Sequence, residues 1–228
     1  MAITLAELKE QARQMSDMVD NEFVTDSELT NYINFAISEL HDILVESYGS
    51  DYFLDSTTET TIVNTSDYAL PENFYKLRGV DLKINNDDWI SVRPFNFNER
   101  NRQEDFGAWT LLGVTNVRYR LMGSNIKFTP VPDQGVQFKI WYIPVATKLV
   151  ADTDELNDIN QFSDYVIVTA AMKMMLKEES DASALMSERE RIENKLRDAA
   201  QNRDAGEPES ITDIYAANND YLWHTTKG

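Results

Sequence analysis

Residues Val24–Gly49 read VTDSELTNYINFAISELHDILVESYG, and the period of their apolar residues decides how the rest of the chain is parsed. Thr25 followed three residues later by Glu28 forms a capping box, in which hydroxyl and carboxylate satisfy backbone donors that a helix start leaves unpaired. Behind it Leu29, Tyr32, Ile33, Ala36, Ile37, Leu40, Ile43 and Leu44 recur at steps of three and four, which places them on one stripe. Gly49 supplies a left-handed stop. Asn31, Asn34, Ser38, Glu39, Asp42 and Glu46 occupy the other faces, so the pattern predicts an amphipathic helix that needs a packing partner and does not span a membrane.

Working outward toward the N-terminus, Thr4 and Glu7 repeat the capping-box spacing, and Leu5, Leu8, Ala12, Met15 and Val19 follow at helical steps. The spacing predicts a first helix over Leu5 to Asp20, joined to the second by a connection short enough to make the two neighbours in space.

After Gly49 the period becomes extended. Strands are predicted at Thr60 to Asn64, Lys76 to Ile84, Trp89 to Val92, Val117 to Met122, Ile126 to Thr129 and Val136 to Ile143. Asn85-Asn86-Asp87-Asp88 and Gly123-Ser124-Asn125 serve as hairpin loops, and Pro130 and Pro132 close a strand. Phe95 to Asp105 breaks the pattern and reads as a short helix. The middle of the chain is therefore a small, mainly antiparallel β domain.

Helical period returns at Asn160, where Phe162, Val166, Ile167, Ala170, Ala171, Met174 and Met175 point in nearly every inward direction, as in a buried helix. In Ser183 to Asn202 the apolar residues narrow to a seam of Leu185, Ile192, Leu196 and Ala199 between charged flanks, which suits packing on one partner helix. Gly206 and Pro208 then break the helix. The remaining residues carry Ile211, Ile214, Tyr215, Tyr221, Leu222 and Trp223, far more apolar surface than a free tail holds. An arm that docks on a partner is the preferred reading, with folding back on its own domain as the alternative.

Taken together, the elements predict an α+β chain. A helical bundle is built from residues 1–50 and 150–205, a β domain is inserted at 51–149, and an extended C-terminal arm covers 206–228. Leu29, Ile33, Ala36, Leu40 and Ile43 are expected to face Val166, Ala170 and Met174, because neither stripe can be buried alone.

The 228 residues contain no cysteine, which removes disulfides, thiolate nucleophiles and cysteine zinc sites. No basic leader followed by an apolar run is present, and no stretch is long enough to cross a bilayer; the expectation is a soluble, unexported product. The net charge is −18. Glu72 to Lys148 holds 11 Lys and Arg against 8 Asp and Glu, whereas the remainder holds 10 against 31, so the acid lies outside the middle. A chain this acidic repels nucleic acid at long range, which argues against a DNA reader that works by neutralising phosphates.

No catalytic constellation emerges. His41 and His224 sit in no metal or triad pattern and are read as packing or solvated residues. Asp152-Thr153-Asp154-Glu155-Leu156-Asn157-Asp158 begins like a calcium loop but has Leu156 at a ligand position and Asn157 where glycine is needed, so it reads as an acidic loop. Asn64-Thr65-Ser66 matches a glycosylation acceptor in a chain without an export signal. The adjacent carboxylates Glu178 and Glu179, and Asp87 and Asp88, are not placed in a pocket by anything in the sequence. Neither a cofactor nor a metal is expected.

The wording DMVDNEFVTDSELTNYINFAISELHDIL at Asp17 to Leu44 and YALPENFYKLRGVDL at Tyr68 to Leu82, in this order of elements, resembles the head-to-tail adaptor proteins of tailed bacteriophages, the group that includes tail tubular protein A of short-tailed phages. The resemblance implies a structural virion protein made in the host cytoplasm. Such adaptors form a ring, commonly of twelve subunits, beneath the portal protein, and receive the tail tube or nozzle protein. DNA passes through the lumen without specific binding, and no membrane is involved. It further implies that the arm residues Ile211, Ile214, Tyr215, Tyr221, Leu222 and Trp223 bind a partner. Two other classes are compatible with the residues themselves: a monomeric binding or regulatory protein, and an enzyme whose site carries no recognised signature.

Overall fold

The structure, a computed structural model, describes residues 3–19, 23–49, 51–84, 88–99, 109, 117–156 and 162–201. Its architecture is α+β, with four helices and three sheets among the described residues.

The capping boxes at Thr4/Glu7 and Thr25/Glu28 both form, starting α1 (Leu5–Met15) and α2 (Asp26–Ser47). Gly49, at φ 81°, stops α2 as its position requires. The first helix ends five residues before the predicted Asp20. Ser16 caps it, Asp17 turns left-handed at φ 56°, and the amides of Asp17 and Met18 return to the carbonyls of Gln14 and Arg13. This is a Schellman motif with aspartate in the position glycine usually takes, so the stop is not announced by a glycine. The same motif ends α3 (Ser163–Lys177): Glu179 is left-handed at φ 61°, and the amides of Glu179 and Ser180 reach the carbonyls of Leu176 and Met175. α4 (Ser183–Gln201) follows after a short turn.

These helices share one buried cluster, in which Leu29, Ile33, Ala36, Leu40 and Ile43 lie with Val166, Ala170 and Met174 as the periodicities require. Leu29, Ile33 and Leu40 are 0% exposed, and each such burial contributes about 1.5–3 kcal/mol relative to an exposed side chain. The N-terminal segment is tied to the segment that follows the sandwich by a two-stranded sheet of β1 (Ile3–Thr4) and β10 (Glu155–Leu156), with Ile3 opposite Leu156.

The middle of the chain is a sandwich with its own core. One sheet has the order β2-β9-β4-β5, from β2 (Asp55–Thr60), β9 (Gln137–Pro144), β4 (Phe74–Lys83) and β5 (Trp89–Ser91). The other has the order β3-β8-β7-β6, from β3 (Asp67–Ala69), β8 (Asn125–Thr129), β7 (Arg118–Met122) and β6 (Arg93–Pro94). Val80, Leu82, Phe138 and Ile140 of the first pack with Tyr68, Tyr119, Ile126 and Phe128 of the second. Trp109 inserts between them and donates its indole N–H to the Pro130 carbonyl at 2.8 Å.

One strand expectation needs correction. The strand placed at Thr60 to Asn64 lies earlier, at Asp55–Thr60. Its polar run DSTTET is an edge strand held by backbone pairing to β9, while the apolar Ile62 and Val63 sit in a turn closed by the left-handed Asn64 (φ 63°) and by the Tyr68 hydroxyl, which accepts the Ile62 amide at 2.8 Å. β6 pairs with β7 in parallel, the exception in an otherwise antiparallel unit. Of the short helix expected over Phe95 to Asp105, one 3-10 turn at Phe97–Glu99 falls within the described residues.

Candidate functional site

The bundle is fastened by charged side chains as well as by its core. Lys177, in the last turn of α3, donates to both carboxylate oxygens of Glu28 at 2.8 and 2.9 Å and to the Phe23 carbonyl at 2.8 Å. Farther along, Lys173 lies 3.7 Å above the Phe35 ring. Increasing numbers on α3 meet decreasing numbers on α2, so the two run antiparallel. Lys177, together with the backbone and side-chain bonds from Thr25, holds the Glu28 carboxyl down at about 2.

On the other flank Arg189 donates to the fully buried Tyr165 hydroxyl at 2.9 and 3.1 Å and pairs with Glu39, and Arg197 pairs with Glu46 at 3.2 Å. Burial opposes charge on Arg189, but the Tyr165 hydroxyl and Glu39 outweigh it and raise its pKa. Burial in turn pushes the Tyr165 hydroxyl up. α4 therefore runs parallel to α2. Of its predicted seam, Leu196 is buried, Leu185 and Ile192 are half-buried and Ala199 is exposed.

Between α1 and α4, over the outer side of α3, lies an open groove of about 530 Å³ lined by Gln14, Met15, Ile167, Val168, Glu188 and Ile192. Asp164 and Ile192 connect it to a smaller recess of about 110 Å³ that reaches Leu196 and Ala199. The C-terminal arm and all six of its predicted contact residues, Ile211, Ile214, Tyr215, Tyr221, Leu222 and Trp223, lie outside the described residues, as does His224.

The junction between bundle and sandwich is the feature that sequence reading missed. His41, 4% exposed, stacks on Phe53 with ring centroids 4.6 Å apart and meets the edge of Tyr75 at 5.7 Å. It borders a cavity of about 180 Å³ whose other walls include Ile37, Pro144, Ala146, Leu149 and Leu156. Burial lowers the His41 pKa against the pull of Asp42, and its Nε2 is buried without a hydrogen-bond partner among the described residues. One signal was available: His41 is four residues after Ile37 and so continues the apolar stripe of α2.

Four of the acidic residues weighed for chemistry have structural roles, while Asp87, Asn157 and Asp158 lie outside the described residues. Asp154 accepts the amides of Val150 and Ala151 at 2.7 and 2.9 Å, bonds that hold its pKa down, and Asp152 pairs with Lys9 at 2.6 Å. The backbone carbonyls of the same two residues take the Ala6 and Leu5 amides, so this loop anchors the start of α1. Glu178 accepts from the Ser180 hydroxyl, and Glu179 serves the helix stop. Among the described residues, no group of three His, Asp or Glu side chains is arranged to hold a metal ion, and no helix is long and apolar enough to cross a membrane.

No curated protein matches the chain. The model of one family does, that of the SU10 adaptor protein, and it spans residues 3–212, which include the four described helices and the intervening sandwich. The chain belongs to the SU10 adaptor protein family.

Proposed function

We propose that this phage adaptor is the head-to-tail connector of its particle, a structural subunit that forms a ring beneath the portal protein and receives the tail tube or nozzle protein below. The observation that carries this reading is the family match over residues 3–212. A bundle knit from the segments before and after a separately cored sandwich agrees with a rigid subunit that offers distinct surfaces to neighbours above, below and beside it.

Twelve copies close the ring in this account, DNA passes through its lumen, and no substrate is turned over. Residues 1–50 and 150–205 together carry 9 Lys and Arg against 23 Asp and Glu. A wall this acidic repels phosphates and lets the duplex move. The arm seats Ile211, Ile214, Tyr215, Tyr221, Leu222 and Trp223 on the portal or on an adjacent adaptor, because ordering it costs about 1–2 kcal/mol per residue in backbone entropy and only burial of those side chains offsets that.

Mixing the protein with the portal protein of the same phage and imaging the product tests the reading. Rings capping the portal are expected, and a chain truncated after Ala205 should stay folded but detach. Failure of the full-length protein to join the portal overturns the reading.

A further inference from the structure

Two features of the bundle stay uncovered among the described residues, and they complement each other. The first is a ridge where α2 meets α3. Phe35 of α2 is 55% exposed, with the Lys173 ammonium 3.7 Å from the centre of its ring, and Leu176, also 55% exposed, follows Lys173 on the same face of α3. The second is the open groove between α1 and α4, whose apolar walls are Met15, Ile167, Val168 and Ile192 and whose polar ones include Asp164. Lys177, one turn beyond Lys173, is taken by Glu28, but neither Lys173 nor Asp164 forms an ion pair among the described residues.

Helix geometry fixes how the two features are placed. Asp164 and Lys173 both belong to α3, nine positions apart. At about 3.6 residues per turn that is two and a half turns, so groove and ridge lie on opposite faces of the helix. An exposed aromatic side chain is the type that anchors an interface when a pocket receives it. Here the ridge pairs an aromatic ring with a cation, and the groove pairs apolar walls with a carboxylate. Joining ridge to ridge sets Lys173 against Lys173, and joining groove to groove sets Asp164 against Asp164; ridge to groove brings opposite charges together.

We propose that the ridge of Phe35, Lys173 and Leu176 on one copy seats in the α1–α4 groove of the next, with Phe35 against the apolar walls and Lys173 at Asp164. The contact joins unlike surfaces on opposite sides of identical chains, so it is heterologous and repeats from copy to copy, which is the kind that closes rings. The inference rests on the connector reading and names the surface that neighbouring copies share.

Association of the purified full chain, followed by sedimentation velocity over a concentration series, tests the contact. The wild type should self-associate. Phe35→Glu blocks the ridge and Met15→Glu blocks the groove, and each should weaken association at least about tenfold, as loss of an interface anchor does. Val63→Glu, which puts the same charge at an exposed position of the sandwich, should leave it unchanged. An equimolar mixture of Phe35→Glu and Met15→Glu should form one-to-one dimers that grow no further, because the two chains together retain one intact ridge and one intact groove. Thermal melting checks that each variant is folded; where one is not, Phe35→Ser or Met15→Ser takes its place with the same expectation. A wild type that stays monomeric, a mixture that stays monomeric, or equal loss in Val63→Glu overturns the proposal. Loss in Met15→Glu with full retention in Phe35→Glu also overturns it, by assigning the groove to another segment such as residues 206–228. Joining of the full chain to the portal protein is measured separately, so this contact and the connector reading fail independently.

Discussion

Lys177 closes the last turn of α3 onto Glu28 in the first turn of α2, donating to both carboxylate oxygens at 2.8 and 2.9 Å while its ammonium sits 4.6 Å from the centre of the Phe23 ring. Glu28 thus serves two helices, as the capping-box acid of its own and as the acceptor for its neighbour's end.

That double duty makes the contact titratable. The folded pKa of Glu28 is about 2 against an ordinary 4.5, so the unfolded chain takes up the proton first. The stability it contributes is fully present above about 4.5 and is lost as pH falls toward about 2. Thermal midpoints measured across that window should drop less steeply for Glu28→Gln than for the wild type. Parallel curves would show that the pair does not couple to folding.

His41 works in a higher window. Burial depresses its folded pKa below 6.5, so the unfolded chain binds the proton more readily and stability falls as pH drops through and below about 6.5. His41→Phe retains an aromatic ring against Phe53 and removes the titrating group. Its thermal midpoint should be flatter with pH between about 7 and 5 than that of the wild type, and an unchanged slope would place the titration elsewhere.

Leu40 is completely buried in the cluster that joins α2 to α3. Leu40→Ala should destabilise the fold by about 2–5 kcal/mol, the range for a truncated core leucine, read as a lower midpoint in urea. A cost below about 0.5 kcal/mol, typical of surface sites, would mean that the helices do not meet there.

The helix stop at Glu179 offers a change of opposite sign. A glutamate at φ 61° bears the left-handed penalty of about 1–2 kcal/mol that glycine avoids. Part of this is offset by the greater freedom of glycine in the unfolded chain. Glu179→Gly should therefore stabilise by about 0.5–1 kcal/mol, and a lower denaturation midpoint would contradict that.

Much of this architecture was legible in sequence because local chemistry carried it. Thr25 and Glu28 marked a helix start, Gly49 marked its stop, and the Gly123-Ser124 pair linked β7 to β8 with Gly123 at φ 62°. Features without a local signature were lost. β2 is polar and exists through its pairing with β9, and the stops at Asp17 and Glu179 use residues that do not announce a left-handed turn. Contacts between distant segments depend on longer separations still. Arg189 meets Glu39 from 150 residues away, and His41 meets Phe53 and Tyr75 after the chain turns into the sandwich.

The proposed connector role requires this chain to form the ring between head and tail. Electron cryomicroscopy of the tail vertex of mature particles, reconstructed without imposed symmetry, tests it most directly. The account predicts a closed ring of copies of this fold between the portal and the tail, with the residues 206–228 of each copy against the portal or an adjacent adaptor. A vertex in which the portal meets the tail with no such ring would contradict it.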